Sequence, residues 1–354
     1  MPDLPAGISQ RDVAELLGVS VSTVSRALAN NDRVSDLTKR AVRDAYATLA
    51  ARTARSRGEV SSASSRPMLG VTLSDISDED STQILDINFS EVLAGIGGAC
   101  QRAGLIPYPW HLSRHLLGEE GEPFLSQVIG VITVGGVVNH AVLEAIKARG
   151  LPVVVAGGQL PGSGVSSVGS DNATGIRLAV EHLVALGHRR IALVNGPNDT
   201  HTSIEKMYGY LWALAQAGIP FDASLVRSGR RFTGFDEIAG DGAATDLLSL
   251  EQPPTAIVCA FDQLASGVYR AAARLGFSIP GDLSVVGYSD DDTARHAAPP
   301  MTTVHVDRGQ WGEIAMNTVL ALREPGAIPG THTLLPVHLV VRSSTAPPGT
   351  DHVP

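Results

Sequence analysis

From residue 68 onward, short apolar segments alternate with longer segments of helical periodicity. MLGVTL, VIGVITVG and PVVVAG are typical of buried strands, and AVLEAIKARG is typical of a helix. Roughly ten such strands occur, which is enough for two sheets. Strands that alternate with helices form parallel sheets covered by helices on both faces, so the pattern predicts the α/β class. Ligands of such folds bind beyond the carboxyl ends of the strands.

A different pattern occupies residues 9–30, which read SQRDVAELLGVSVSTVSRALAN. Ser9 is a good N-cap for a first helix, and Gly18 is a good C-cap for it. Ser20 caps a second helix over about residues 21–29. This is the pattern of a helix-turn-helix, whose second helix lies in the DNA major groove. The bare outline is also compatible with a purely structural helical hairpin.

The charge of the chain is unevenly distributed. Residues 1–66 contain ten Lys and Arg against seven Asp and Glu, a net charge of +3. The remaining residues contain seventeen against twenty-nine, a net charge of −12. A basic N-terminal part is the electrostatic footprint that a phosphate backbone requires, and the acidic remainder discourages indiscriminate DNA binding.

The string DVAELLGVSVSTVSRAL closely resembles the DNA-reading segment of the lactose-repressor (LacI/GalR) family of bacterial transcription regulators. The resemblance continues in VGSDNATG, EHLVALGHRRIALVNGP, PTAIVCAFDQLASG, GFSIPGDLSVVGY, PPMTTV and LLPVHLVVR, from about residue 8 to residue 343. It implies a helix-turn-helix headpiece, a hinge, and a core of two Rossmann-like lobes of the periplasmic-binding-protein type. The candidate DNA-binding residues are Ser20, Val21, Ser22, Thr23, Ser25, Arg26, Arg33, Thr38, Arg52 and Arg55.

The same resemblance sets the expected domain boundaries. The headpiece is residues 1–57, the small and polar hinge is residues 58–67, and the core is residues 68–345. Within the core the chain is expected to cross between lobes near Val168, Val306 and Gly330. Lobe N is then residues 68–168 and 307–330, and lobe C is residues 169–305 and 331–345. The Pro-rich residues 346–354 are expected to be a disordered tail.

The chain lacks the sequence signals of the common enzyme and membrane classes. GIGGAC lies inside a helix rather than after a strand, so no dinucleotide fingerprint forms. No phosphate-binding loop, nucleophile elbow or metal-ligand spacing occurs, and we expect neither an enzyme nor a bound cofactor or metal. The two cysteines, Cys100 and Cys259, are expected to be buried and reduced. No apolar run spans a bilayer and no signal peptide is present, so a cytoplasmic location is expected.

The resemblance also identifies a ligand site between the lobes, at which this chain departs from the family. Sugar-binding members place an Arg, an Asn and an Asp where this chain has Lys206, Phe261 and Ser289. A carboxylate position is Gly157, and a polar position is Val306. The candidate ligand-binding residues are Ser74, Asp75, Lys206, Phe232, Phe261, Ser289 and Asp290.

Two interpretations of these replacements remain open. The site binds a different, less hydroxylated ligand, or it has lost ligand control. We favour the first, because a cation and aromatic side chains remain to line a cleft. The expected ligand carries a carboxylate or phosphate for Lys206 beside an apolar part for Phe232 and Phe261.

The hinge departs from the family as well. Members of the family usually carry Tyr-x-Pro-Asn after the third helix, followed by a Leu that wedges into the DNA minor groove. In this chain Ala51, Thr53 and Ala54 replace the Tyr, Pro and Asn. The position of the Leu falls near Val60, after a helix-breaking Gly58. We expect modest DNA bending and strong salt dependence from the basic residues of this segment, although a merely solvated charge run explains them equally well.

The sequence therefore predicts a homodimeric, sequence-specific DNA-binding transcription regulator, most simply a repressor. Its partners are a near-palindromic DNA operator and a small-molecule effector bound between the lobes. The main alternative is a small-molecule-binding protein with a vestigial headpiece.

Overall fold

The computed structural model describes residues 9, 13–14, 19–28, 34–35, 38–39, 42, 66–73, 87–110, 125–135, 140–160, 162–198, 200–229 and 237–349. The chain divides into two compact units, Met1–Arg66 and Pro67–Pro354. Several sequence predictions fall outside the described residues. They concern Arg33, Arg52, Arg55, Ser74, Asp75, Phe232 and the hinge residues 58–65.

The first unit contains helix α1 (Val21–Leu28). The helix begins after Ser20, whose hydroxyl accepts a hydrogen bond from the amide of Thr23 at 3.2 Å, as an N-cap residue does. Val24 and Ala27 are its buried residues. They pack in a small apolar cluster whose other buried members are Val13, Ala14, Val34 and Val42. The spacing of three between the buried positions leaves the opposite face of α1 exposed.

The second unit contains a six-stranded parallel sheet. Its strands are β1 (Met68–Leu73), β2 (Ile106–Trp110), β3 (Val128–Val134), β4 (Val153–Ala156), β5 (Ser166–Ser170) and β11 (His332–Leu335). They lie in the order β11-β5-β4-β3-β1-β2. All residues of β4 are buried, as expected for a parallel strand covered on both faces.

A second six-stranded sheet follows the same plan. Its strands are β6 (Ile191–Asn195), β7 (Val226–Ser228), β8 (Ala256–Cys259), β9 (Ser284–Ser289), β10 (Thr302–His305) and β12 (His338–Val340). They lie in the order β12-β10-β9-β8-β6-β7. Strand β12 pairs antiparallel with β10, and the other pairs are parallel.

Helices cover both faces of each sheet. They are α2 (Ile87–Arg102), α3 (His140–Ala148), α4 (Asn172–Ala185), α5 (His201–Gln216), α6 (Glu237–Leu248), α7 (Asp262–Leu275), α8 (Asp292–His296) and α9 (Arg308–Ala321). Helices α2 and α9 pack on one face of the first sheet and α3 on the other. Helices α4 and α5 pack on one face of the second sheet, and α6 and α7 on the other.

Two glycines bring α2 and α9 close together. A Cβ atom at Gly95 would lie 1.9 Å from the carbonyl oxygen of Gly309, and one at Gly312 would lie 2.1 Å from that of Val92. No larger residue fits at either position without separating the helices. This contact fixes the N-terminal part of α9 against α2.

The chain passes between the two sheets three times, and the last passage differs from the sequence prediction. It leaves the first sheet after Ser170, returns after His305, and leaves again after Leu335. The predicted third crossing near Gly330 places β11 in lobe C, which is wrong. Strand β11 pairs with β5 of the first sheet, with His332 opposite Ser167.

The prediction of a disordered tail over residues 346–354 also requires correction for its first four residues, which are the described ones. The amide of Ala346 donates to Ser284 Oγ at 3.1 Å, and its carbonyl lies 2.9 Å from His188 Nε2. Just upstream, the Ser344 side chain is fully buried and donates to the carbonyl of Val285. The tail is therefore anchored on the second sheet by polar contacts that its composition does not reveal.

Candidate functional site

The exposed face of α1 carries most of the predicted DNA-binding residues that the structure describes. Ser20, Val21, Ser22, Ser25 and Arg26 are exposed. The other two described candidates, Thr23 on α1 and Thr38 further along the headpiece, are half-buried. Val21 is an exposed apolar residue, 45% accessible, which suits contact with a thymine methyl group.

Arg26 is held on this face by its own helix. Its Nε donates to the carbonyl of Ser22 at 3.0 Å, and its Nη2 lies 3.0 Å from Ser22 Oγ. The guanidinium therefore lies along the exposed face rather than extending freely. Bidentate guanine recognition would replace these two local contacts with contacts to a base.

The predicted ligand-binding residues that the structure describes lie at the carboxyl ends of the strands of the second sheet. Phe261 follows β8 by two residues, and Ser289 is the last residue of β9. Lys206 projects from α5, which packs beside the same strands. In α/β folds, ligands usually bind just beyond the carboxyl ends of the parallel strands.

Lys206 is buried, with only 1% of its surface accessible. Its Nζ donates to the carbonyl of Ala260 at 2.6 Å. The same atom lies 3.9 Å from the ring centroids of both Phe261 and Tyr288. Two aromatic faces and one carbonyl thus replace the water that would otherwise solvate the ammonium group.

This environment changes the protonation of Lys206. Burial lowers its pKa, the positive charge of Arg308 lowers it further, and Asp262 and Glu205 act in the opposite direction, so that the pKa is about 7. The side chain therefore changes charge near neutral pH.

At two positions where the family has a polar residue, this chain has Phe261 and Gly157, and an aromatic ring fills the space at each. Phe261 takes the position of a polar family residue and covers Lys206. At Gly157, where the family has a carboxylate, a Cβ atom would lie 3.0 Å from the ring of Trp311. Gly157 has a φ of +90°, which other residues rarely adopt. The Trp311 ring therefore occupies the space that a side chain at position 157 would need.

Ser289 and Asp290 have positive φ angles of 145° and 60°. Strained backbone of this kind is concentrated at binding sites. The hydroxyl of Ser289 is buried and lacks a hydrogen-bond partner within the described part of the chain. It is thus a polar group available to a ligand.

Asp290, which is also predicted to line the ligand site, is engaged by side chains of the protein itself. Its carboxylate accepts hydrogen bonds from Arg342 and, at 3.0 Å, from His305 Nδ1, and the guanidinium of Arg295 lies 3.7 Å away. Burial raises the pKa of Asp290, but the hydrogen bonds from Arg342 and His305 outweigh it and hold the pKa below its usual range. The carboxylate is paired with arginines of the protein and links the end of β9 to the segment after β12, across the intervening strand β10.

Five buried polar atoms have no hydrogen-bond partner among the described residues. They are Thr133 Oγ1, Ser170 Oγ, His201 Nδ1, Ser289 Oγ and Trp311 Nε1. Three belong to the last two residues of a strand, and two belong to the first turn of a helix that follows a strand. All five are thus at strand carboxyl ends, where a bound molecule or water would satisfy them.

The sequence reasoning missed Arg308 and Trp311. Both lie in the first turn of α9, directly after the chain returns to the first sheet. Arg308 is 5% accessible, and its Nη1 lies 3.4 Å from Glu91 Oε2 of α2. Trp311 packs against the apolar cores of both sheets. Asp307, which caps α9, marks this helix start in the sequence and could have directed attention to these positions.

Family models and known proteins agree with this architecture. Residues 10–50 match the model described as "Bacterial regulatory proteins, lacI family", and residues 180–345 match the "Periplasmic binding protein-like domain". The transcriptional regulator CelR of Thermobifida fusca is 30% identical over 344 residues, covering 94% of this chain and 96% of CelR. The transcriptional repressor CytR of Escherichia coli K12 is 29% identical over 342 residues, covering 95% of this chain and 96% of CytR.

A solved structure is similar over the same length. The lac repressor dimer bound to operator and the anti-inducer ONPF has a TM-score of 0.67 and 28% identity, covering 96% of this chain and 99% of the repressor chain. A helix-turn-helix headpiece with a periplasmic-binding-protein-like core defines a class of DNA-binding transcription regulators. The chain belongs to that class as a member of the lacI family of bacterial regulatory proteins. No described helix is long and apolar enough to cross a membrane.

Proposed function

We propose that the protein represses transcription as a homodimer that binds a near-palindromic operator through α1. One headpiece offers a single short recognition helix, so two linked headpieces gain specificity and effective concentration on a two-fold symmetric site. The lac repressor dimer bound to operator, a relative in structure, supports this arrangement. The proposed site of action is the cytoplasm.

The proposed effector is a small molecule bound at the interlobe junction, by which we mean Lys206, Phe261, Ser289, Arg308 and Trp311. The observation that carries this proposal is the buried Ser289 hydroxyl beside a strained turn, which has no hydrogen-bond partner among the residues that the structure describes. Such a group lacks the hydrogen bond that buried hydroxyls normally make, and a ligand would supply it. If the lobes have two arrangements that differ in operator affinity, a ligand that binds one arrangement more tightly shifts the protein toward it. The ligand thereby changes operator affinity.

The test is selection of sheared genomic DNA from the source organism on the immobilised full-length protein, followed by sequencing. We expect enrichment of a few sites that share a near-palindromic motif. Arg177→Ala, which removes a half-buried arginine of α4 rather than one of the headpiece, is a control that should enrich the same sites. Uniform recovery of fragments, with no shared motif, would contradict the proposal and favour a binding protein with a vestigial headpiece.

A further inference from the structure

The outer face of α5 carries a straight row of exposed apolar side chains. Ile204, Tyr208 and Trp212 are 40%, 65% and 53% accessible, and we call this row the α5 ridge. A spacing of four residues places the three side chains on one face of the helix, about 6 Å apart along its axis. Single exposed apolar residues are common, but a contiguous row with two aromatic members is typical of an interaction surface.

The opposite face of α5 holds this ridge in place. Tyr210 is buried, and its hydroxyl donates to the carbonyl of Ile191 at 2.8 Å. A Cβ atom at Gly209 would lie 2.2 Å from the carbonyl oxygen of Ala173, so α5 packs directly on the backbone of α4. The α5 ridge is therefore a fixed part of the helical layer on the second sheet, and it can bind a partner without rearrangement.

The exposed residues of α5 carry no charge. Besides the α5 ridge they are Ala215 and Gln216. The neighbouring helix α4 contributes the ion pair of Arg177 and Glu181, whose charges cancel. Residues 67–354 have a net charge of −12, so two copies of this unit repel each other in general. The uncharged α5 ridge is a surface on which two copies can meet without placing like charges opposite each other.

The order of side chains along the α5 ridge makes it complementary to itself. The smaller Ile204 and the larger Trp212 lie at its two ends, and Tyr208 lies between them. When two such ridges lie antiparallel around a two-fold axis near Tyr208, Ile204 of each copy faces Trp212 of the other copy. A two-fold contact uses the same patch on both copies, and this patch meets that requirement.

We propose that the α5 ridge binds the α5 ridge of a second copy, as a weak contact between two homodimers. This inference rests on the proposed function, which supplies the homodimer. Three side chains bury far less than the roughly 800 Å² per partner of a standard stable interface, so the contact is too small to form the homodimer itself. Two homodimers held on one DNA molecule are at high effective concentration, and there the same contact makes their binding cooperative.

Sedimentation velocity of the full-length protein over a range of concentrations measures this contact. We expect a dimer at micromolar concentration and a rise of the sedimentation coefficient at about hundredfold higher concentration. Tyr208→Glu places two carboxylates opposite each other at the two-fold axis and should weaken this association by about tenfold or more. Ile328→Glu changes an apolar residue outside α5 that is 76% accessible, and this matched control should associate as the wild type does. Circular dichroism shows whether each variant is folded.

Cysteine cross-linking tests the antiparallel arrangement. Cys100 and Cys259 are buried, so a bis-maleimide reagent should leave the wild type without cross-links. Tyr208→Cys should form covalent pairs at the concentrations where homodimers associate, because the two copies of this position meet at the axis. A mixture of Ile204→Cys and Trp212→Cys should cross-link more than either variant alone, because only the mixture brings the two thiols together.

The outcomes separate this inference from the proposed function. Unchanged association of folded Tyr208→Glu, equal cross-linking of the mixture and the single variants, or no association of the wild type at any concentration would overturn the self-contact in favour of a different protein partner. Dissociation of Tyr208→Glu to monomers at micromolar concentration would place the α5 ridge inside the homodimer and would overturn it too. A monomeric wild type at micromolar concentration, or loss of DNA selection, would instead contradict the proposed function and leave in place a self-association that Tyr208→Glu abolishes.

Discussion

The ammonium nitrogen of Lys206 lies 3.9 Å from the centroid of the Phe261 ring. At the family position of a planar, permanently charged Arg, this chain thus has a side chain whose pKa is about 7 and which is enclosed by aromatic faces. The protonation of this residue makes the stability of the core depend on pH.

The first prediction follows from that pKa. Lys206 has a folded pKa of about 7 and an ordinary value of 10.5, so between these pH values the unfolded chain binds about one more proton than the folded chain. The stability of the wild type should therefore rise relative to Lys206→Met by about 1.4 kcal/mol per pH unit from about pH 7.5 to 9.5. Below pH 7 the difference should level off.

Urea denaturation of both proteins across this range measures the effect. Lys147→Met, which removes a lysine that is 37% accessible at its side chain, is the control and should give a flat difference from the wild type. A flat difference for Lys206→Met would show that Lys206 keeps its proton in the folded chain as it does in the unfolded chain, which would contradict a lowered pKa.

The second prediction separates Asp290 from the ligand site. Asp290→Asn leaves Arg342 and His305 without their carboxylate partner and should destabilise the core by about 3 kcal/mol. Because the pKa of Asp290 is lowered, its stabilising effect is present above its unfolded pKa of about 3.8 and is lost as the pH falls below that value.

Effector affinity of folded Asp290→Asn should stay within about twofold of wild type, since the carboxylate already faces protein cations. Asp292→Asn, at a carboxylate that is 66% accessible, is the matched control and should have little effect on stability. A large loss of ligand affinity at unchanged stability in Asp290→Asn would restore the original assignment of Asp290 to the ligand.

The third prediction concerns base recognition. Arg26→Ala should weaken operator binding by about 1–3 kcal/mol and relax specificity at one base pair of each half-site. Ser25→Ala, at an exposed hydroxyl expected to contact phosphate, should weaken all sequences alike. Binding-site profiles of the two variants on a library of operator mutants distinguish these effects, and an unchanged profile for Arg26→Ala would be evidence against the assignment.

The fourth prediction is the oligomeric state. The full-length protein should sediment as a dimer at micromolar concentration, because the proposed operator is two-fold symmetric. A monomer, or a stable tetramer, in sedimentation equilibrium would contradict the proposal.

The sequence predicted the parts of the structure that depend on local pattern. The Ser20 cap and the helix that follows it can be read from the local sequence. The alternating strands and helices follow in the same way and lead to the two sheets, whose pairs are parallel except for that of β10 with β12.

Features that depend on distant contacts were missed or misplaced. DRGQW reads as an ordinary helix start, and only the passage of the chain between the sheets brings Trp311 against the apolar cores of both. The TAPPG segment reads as disordered, yet its anchors are His188 and Ser284, which lie far away in sequence. Asp290 resembled a free carboxylate because its partner Arg342 is 52 residues further along the chain.

The central claim is sequence-specific DNA binding, and a salt-dependent titration tests it most directly. Fluorescence anisotropy would compare the full-length protein on its selected operator with a scrambled duplex of equal length and composition at several salt concentrations. We predict binding to the operator about a thousandfold or more tighter than to the scrambled duplex near physiological salt. Equal affinity for both duplexes at every salt concentration would contradict the account.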